Sequence, residues 1–123
     1  MQATVEGRAT LPSAERLRGR REIERLFRRG SRIERPSFVL LWLSGPGRRA
    51  TAFATSRRLG GSVTRNRARR RLREAYRRQK DLVPPAGIRL CFIARPEAVR
   101  VRFDRLSQEM ADALRQAVQR AAS

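Results

Sequence analysis

Between Arg65 and Lys80 the chain reads RNRARRRLREAYRRQK, eight arginines and one lysine against a single acid, Glu74. No proline or glycine interrupts the stretch, and Arg, Leu, Ala, Glu and Gln are good helix formers. At about 100° per residue, Ala68, Leu72, Ala75 and Tyr76 fall on one side of such a helix. Asn66, Arg69, Arg70, Arg73 and Arg77 fall on the other. One face can therefore dock on a core while the other presents guanidinium groups. Thr64 is the expected N-cap, because its hydroxyl can accept a hydrogen bond from an early backbone N–H. A helix with a buried side and this much positive charge is suited to lying against phosphates.

The rest of the chain has to supply that core. Its 123 residues suit one domain, and a hydrophobic content of 40% is enough for a modest interior. Thirty basic residues stand against 11 acids, a formal charge of +19, and every basic residue except Lys80 is arginine. Arginine offers a planar fork that bonds phosphate oxygens in pairs and stacks on bases. Self-repulsion at this charge opposes compaction unless a polyanion relieves it. Nucleic acid is the expected partner, ahead of an anionic membrane surface.

Several classes of chemistry are disfavoured. There is no histidine, which removes the usual general base and the commonest metal ligand. Zinc sites of Cys/His type and Ser/His or Cys/His nucleophile pairs are ruled out with it. The acids are scattered, mostly one turn from an arginine, and read as surface ion-pair partners. The lone Cys91, inside LCFIA, reads as a small buried apolar residue and fits a reducing compartment. No apolar run is long enough to span a bilayer, and no signal-peptide pattern opens the chain.

Taken in order, Met1–Thr10 lacks periodicity and reads as a disordered tail. Arg20–Arg29 reads as a short helix with Ile23, Leu26 and Phe27 on one side, ended by Gly30 in the left-handed conformation. FVLLWL, Phe38–Leu43, reads as a strand, followed by the turn cluster Ser44–Gly47. Ala50–Ser56 reads as a second strand antiparallel to the first. Leu59-Gly60-Gly61 is a flexible join into the basic helix. Ile88–Ala94 reads as a central strand covered on both faces. Phe103–Ala121 reads as a closing amphipathic helix, with Leu106, Met110, Leu114 and Ala117 among its apolar positions. The expected class is α+β, with helices packed on a sheet.

Three stretches in this order resemble one family. RNRARRRLREA, Arg65–Ala75, is similar to the Arg-Asn-Arg signature of the bacterial ribonuclease P protein subunit, with Arg65, Asn66, Arg67, Arg69, Arg70 and Arg73 fitting position by position. LPSAERLRGRREIERLFRRG, Leu11–Gly30, resembles that family's opening, and FIARP, Phe92–Pro96, resembles its strand ending in Ala-Arg-Pro. The likeness runs from about Leu11 to Ala121. The chain departs from the family at Ile23, where a Phe is usual, and at Gly61-Ser62 in place of Asn-Ala. Ala52 and Thr55 stand for the usual Gly and Val.

The resemblance implies a single small domain over residues 11–121, preceded by an N-terminal extension over 1–10. It implies a mostly antiparallel sheet in α-β-β-β-α-β-α order, with a left-handed βαβ crossover. The residue-level reading is one strand short of this, and Thr55–Leu59 is where the missing strand is expected. The implied role is the protein subunit of ribonuclease P, a cytoplasmic ribonucleoprotein that removes the 5′ leader of precursor tRNA. Its partners would be the catalytic ribonuclease P RNA and the precursor tRNA leader, and Mg²⁺ would be held by the RNA. No catalytic or metal-binding residue is expected on the protein. Arg65, Asn66, Arg67, Arg69, Arg70 and Arg73 are assigned to RNA contact, with Arg57 and Arg58 adding phosphate contacts. Ile23, Phe27, Phe38 and Leu40 are candidates to line a leader cleft where rings stack on bases, with core packing the alternative for each of them. Two rival readings are a ribosomal or RNA-chaperone protein without a processing role and, more distantly, a protein-only nuclease.

Overall fold

The computed structural model describes residues 3–5 and 20–122. The elements are β1 (Ala3–Val5), α1 (Arg20–Arg29), β2 (Ser31–Glu34), β3 (Phe38–Arg48), β4 (Ala50–Ser56), α2 (Ser62–Gln79), β5 (Ala86–Ala94) and α3 (Phe103–Ala121). From α1 onward the order is α-β-β-β-α-β-α. The strands form one mixed sheet in the order β1-β4-β5-β3-β2. β4 and β5 are parallel neighbours joined by α2, and the other three pairings are antiparallel.

Four expectations about the strands change. The missing strand is β2, not Thr55–Leu59. Ser31–Glu34 buries only Ile33, so it carries almost no hydrophobic signature of its own. Thr55 and Ser56 instead finish β4, and Arg57–Leu59 forms a 3₁₀ turn in which the Ser56 hydroxyl accepts from the Arg58 N–H at 3.1 Å. β3 and β4 run in opposite directions, but β5 lies between them and pairs with both. β3 also continues through Ser44–Gly47 to Arg48 instead of turning there, with a shift of register between Ser44 and Arg48. The expected disordered tail falls mostly outside the described residues. Within them, Ala3–Val5 pairs with Ala54–Ser56 at the sheet edge.

β5 is central and covered on both faces, and alternation sorts its side chains. Ile88, Leu90, Phe92 and Ala94 join Phe38, Leu40, Trp42 and Phe53 beneath α2 and α3. Cys91 and Ile93 join Val39, Leu41, Ala52 and Ala54 on the opposite face, where Leu26 and Ile23 of α1 pack. Phe92 lies at the heart of the larger core, stacked on Phe53 with ring centroids 5.5 Å apart and edge-on to Phe38 at 5.6 Å. Such arrangements are favoured by the ring quadrupoles. The Tyr76 hydroxyl and the Thr51 hydroxyl, both buried, satisfy each other at 3.0 Å and fasten α2 to β4.

Gly30 ends α1, as expected, but not through a left-handed conformation; the described glycines with positive φ are Gly47, Gly60 and Gly87. The constraint is space. The Gly30 N–H donates to Leu26 O at 2.9 Å, and a Cβ there would lie 2.5 Å from that same oxygen and 3.2 Å from Trp42 O. At Gly60, φ of 138° does favour glycine, and this residue turns the chain from the 3₁₀ turn into α2.

Candidate nucleic-acid interface

α2 begins three residues earlier than the cap assignment allows. Its N-cap is Gly61, and Thr64 lies inside the first turn, so the N-terminal N–H groups carry no side-chain cap. No acid occupies that turn either, which leaves the positive end of the helix dipole unneutralised by the helix itself.

The inner face is as expected: Ala68, Leu72, Ala75 and Tyr76 are fully buried. The basic face is not a uniform row. Arg69 and Arg73 are only 7% exposed and stand on the shoulder of the helix. The Arg69 guanidinium donates to Thr55 Oγ1 of β4 at 3.0 Å and also to Asn66 Oδ1. A long arginine stem can lie along apolar surface while its head finds polar partners, which is how these two positions come to be buried. Arg65 donates to Gly60 O at 2.9 Å and holds the turn that precedes the helix. Arg67 and Arg70 are exposed and have no ion-pair or hydrogen-bond partner among the described residues. Arg57 and Arg58 are exposed as well, in the turn just upstream.

Two arginines outside the assigned set have structural work. Arg71, on the far shoulder, donates to Ala98 O at 2.7 Å and to Val101 O. It ties α2 to the connection between β5 and α3, and burial followed by repulsion from Arg67 lowers its pKa. Toward the C-terminus of the helix, Glu74 accepts from Arg77 Nε at 2.9 Å and Nη2 at 2.7 Å, and from Arg78 Nε at 3.0 Å. Hydrogen bonds from Arg77, then from Arg78, hold its carboxyl down to about 2.

On the α1 face of the sheet a groove of about 230 Å³ opens where β3 begins and β4 and β5 end. Val39, Leu59 and Ile93 contribute apolar wall, while Arg32, Arg58 and Arg95 stand around it. α1 crosses the other part of this face, with Glu22 accepting from Arg89 Nε at 3.2 Å. Because β4 runs into the Arg57–Leu59 turn and then α2, the groove and the first turns of α2 share one end of the sheet.

The four cleft assignments divide. Ile23 is half-buried against the core on this face, and Phe27 is 38% exposed on α1; neither lines the groove itself. Phe38 and Leu40 are fully buried on the opposite face, beneath α2 and α3. They cannot line the cleft. The register turns Val39 and Leu41 to the α1 face instead, one residue out of step, and of these Val39 lines the groove. Arg32 and Arg95 carry no RNA-contact assignment from sequence, although Arg95 lies within the FIARP stretch. Arg95 follows the strand end and donates to Glu34 Oε1 at 2.5 Å and to Arg35 O at 3.0 Å, so it fixes the β2–β3 connection as well as standing by the groove.

A family model for ribonuclease P matches residues 11–118. A ribonuclease P protein component of Chloroflexus aurantiacus is 40% identical over 110 residues, covering 85% of this chain and 78% of that protein. One from Geotalea uraniireducens is 36% identical over 104 residues, covering 84% and 90%. Among solved structures, the ribonuclease P protein of Thermotoga maritima superposes with a TM-score of 0.73 at 28% identity, over 83% of this chain and 96% of that one. The matched residues span α1 through most of α3 and include every assigned RNA-contact position: the chain belongs to the ribonuclease P protein family.

Proposed function

We propose that the chain is the protein component of ribonuclease P, acting in the cytoplasm with the catalytic RNA on precursor tRNA. The exposed arginines of α2 and of the Arg57–Leu59 turn bind ribonuclease P RNA, and the 5′ leader runs along the groove and past Phe27. The observation that carries this reading is the shared end of the sheet, where free guanidinium groups meet an apolar groove flanked by Arg32, Arg58 and Arg95. Phosphates take the guanidinium forks, and bases take the apolar wall.

The protein's part is electrostatic and positional. It screens two polyanions from each other and holds the leader so that substrate outlasts product. Mg²⁺ would belong to the RNA in this reading and supply the cleavage chemistry there. Among the described residues the carboxylates are a poor donor set for it: Glu22 is engaged by Arg89, Glu34 by Arg95, and Glu74 by Arg77 and Arg78. Arg69 contributes mainly by fixing the helix on β4, with Asn66 accepting from it, and Arg69 and Arg73 add their positive field.

Reconstitution tests the reading. Added to ribonuclease P RNA at low Mg²⁺, the protein should stimulate cleavage of precursor tRNA to the mature 5′ end. Absence of stimulation, with the RNA active alone at high Mg²⁺, would overturn it.

A further inference from the structure

On the outer surface of α2, four arginines extend furthest into solvent: Arg67, Arg70, Arg77 and Arg78. From Arg67 to Arg78 the helix rises roughly 16 Å at 1.5 Å per residue. Without acids this would be one continuous phosphate-binding strip. It is not continuous, because Glu74 sits in the middle and takes three hydrogen bonds from the last two members. The Arg77 fork is filled by the two carboxylate oxygens, in the bidentate arrangement that a phosphate would otherwise adopt. Arg78 is engaged twice, by Glu74 and by the ring of Phe103, 4.9 Å from its guanidinium carbon. The acid stays ionised well into the acidic range, so the clamp is present at any pH where RNA is handled.

We propose that Glu74 is a specificity determinant that ends the RNA-binding face of α2. It occupies Arg77 and Arg78 from within the chain and presents a negative charge where the strip would continue. Phosphate contacts are thereby concentrated on Arg67 and Arg70, in the N-terminal half of the helix. RNA is held in one register relative to the leader path instead of sliding along the helix. This rests on the proposed RNA-binding role of α2.

The test is a salt series with a labelled short single-stranded RNA, comparing Glu74→Gln with the native chain. Each phosphate contact on a single strand adds about 0.7 to the slope of log affinity against log salt. Glu74→Gln should bind several-fold more tightly at low salt, with a slope steeper by about 0.7 to 1.4. Arg77→Ala with Arg78→Ala should leave the native slope unchanged, yet return the Glu74→Gln slope to the native value. An unchanged slope in Glu74→Gln would overturn the proposal. So would a steeper slope that survives loss of both arginines, since that is only a change in net charge. Arg67→Ala with Arg70→Ala separates the two levels of argument. If that pair fails to flatten the slope, the RNA-binding role of α2 itself is wrong, and Glu74 has no face to limit. If it does flatten the slope while Glu74→Gln changes nothing, only the limiting role falls.

Discussion

The carboxylate of Glu109 on α3 grips Ser37 twice, accepting from its backbone N–H and from its hydroxyl, each at 2.9 Å. Both residues are buried, at 6% and 0% exposure, and they lie 72 positions apart in the chain. The contact fixes the start of β3 under the closing helix, and β3 forms one wall of the groove. Glu109→Ala would leave a buried N–H and hydroxyl without their acceptor, a loss of about 2–4 kcal/mol. Glu109→Gln keeps one acceptor oxygen and should cost less than half of that. Urea unfolding of the three proteins checks the order, and equal midpoints would show that the pair is not a fastening.

Arg69 and Arg67 are two positions apart on α2 and should fail in different ways. Arg69 is buried and bonded to Thr55, so Arg69→Ala should cost about 1–2 kcal/mol of stability. Arg67→Ala removes an exposed side chain without partners and should change stability by under about 0.5 kcal/mol. Its effect should appear in RNA binding, as a salt slope flatter by about 0.7–0.9. Paired unfolding and binding curves would separate them. A stable Arg69→Ala protein with the larger loss of salt dependence would restore Arg69 to the phosphate-binding face.

The pattern of what could be read in advance follows from where the information is local. α2 and α3 were legible because their apolar periodicity is long, and β5 because its apolar run is nearly unbroken. β2 was not, since a four-residue strand with one inward side chain has no period to detect. The parity of FVLLWL was also invisible: Val39 and Leu41 are as apolar as Phe38 and Leu40, so alternation carried no sign of which set faces α1. On α2 the angular reading put Arg69 and Arg73 outward with Arg70. Helix geometry places them only on a flank, and whether a flank is buried depends on β4 lying beneath it. Arg71, by contrast, falls at a position that the Arg-Asn-Arg pattern leaves variable. Its work is to hold Ala98 and Val101, which is a matter of this domain's packing.

Cys91 gives a prediction in pH. Burial raises its thiol from 9.0 to about 12 in the folded chain. Between those values the unfolded chain gives up a proton that the native chain keeps, so fewer protons are bound unfolded than folded. Stability must therefore fall as pH rises through that window and be unaffected by this group below it. The slope attributable to the thiol is at most about 1.4 kcal/mol per pH unit, and it should vanish in Cys91→Ala. Alkylation of the thiol at neutral pH should likewise require unfolding. Rapid labelling of the native protein would contradict the buried placement on the α1 face.

Phe27 and Phe38 bring the leader cleft to a direct comparison. Phe27 is exposed on α1, while Phe38 is fully buried under α2 and α3, edge-on to Phe92. Stacking a base on an aromatic ring is worth about 1–3 kcal/mol by alanine substitution. Phe27→Ala should therefore weaken the reconstituted enzyme's affinity for precursor tRNA carrying a leader by about that amount. It should not weaken affinity for a substrate lacking the leader, and it should leave the unfolding midpoint nearly unchanged. Phe38→Ala opens a cavity in the core and should cost about 3–5 kcal/mol of stability, with no leader-specific loss while the protein remains folded. A leader-specific loss in Phe38→Ala larger than that in Phe27→Ala would move the cleft to the other face of the sheet. A uniform loss in Phe27→Ala, independent of the leader, would assign the ring to the RNA subunit instead.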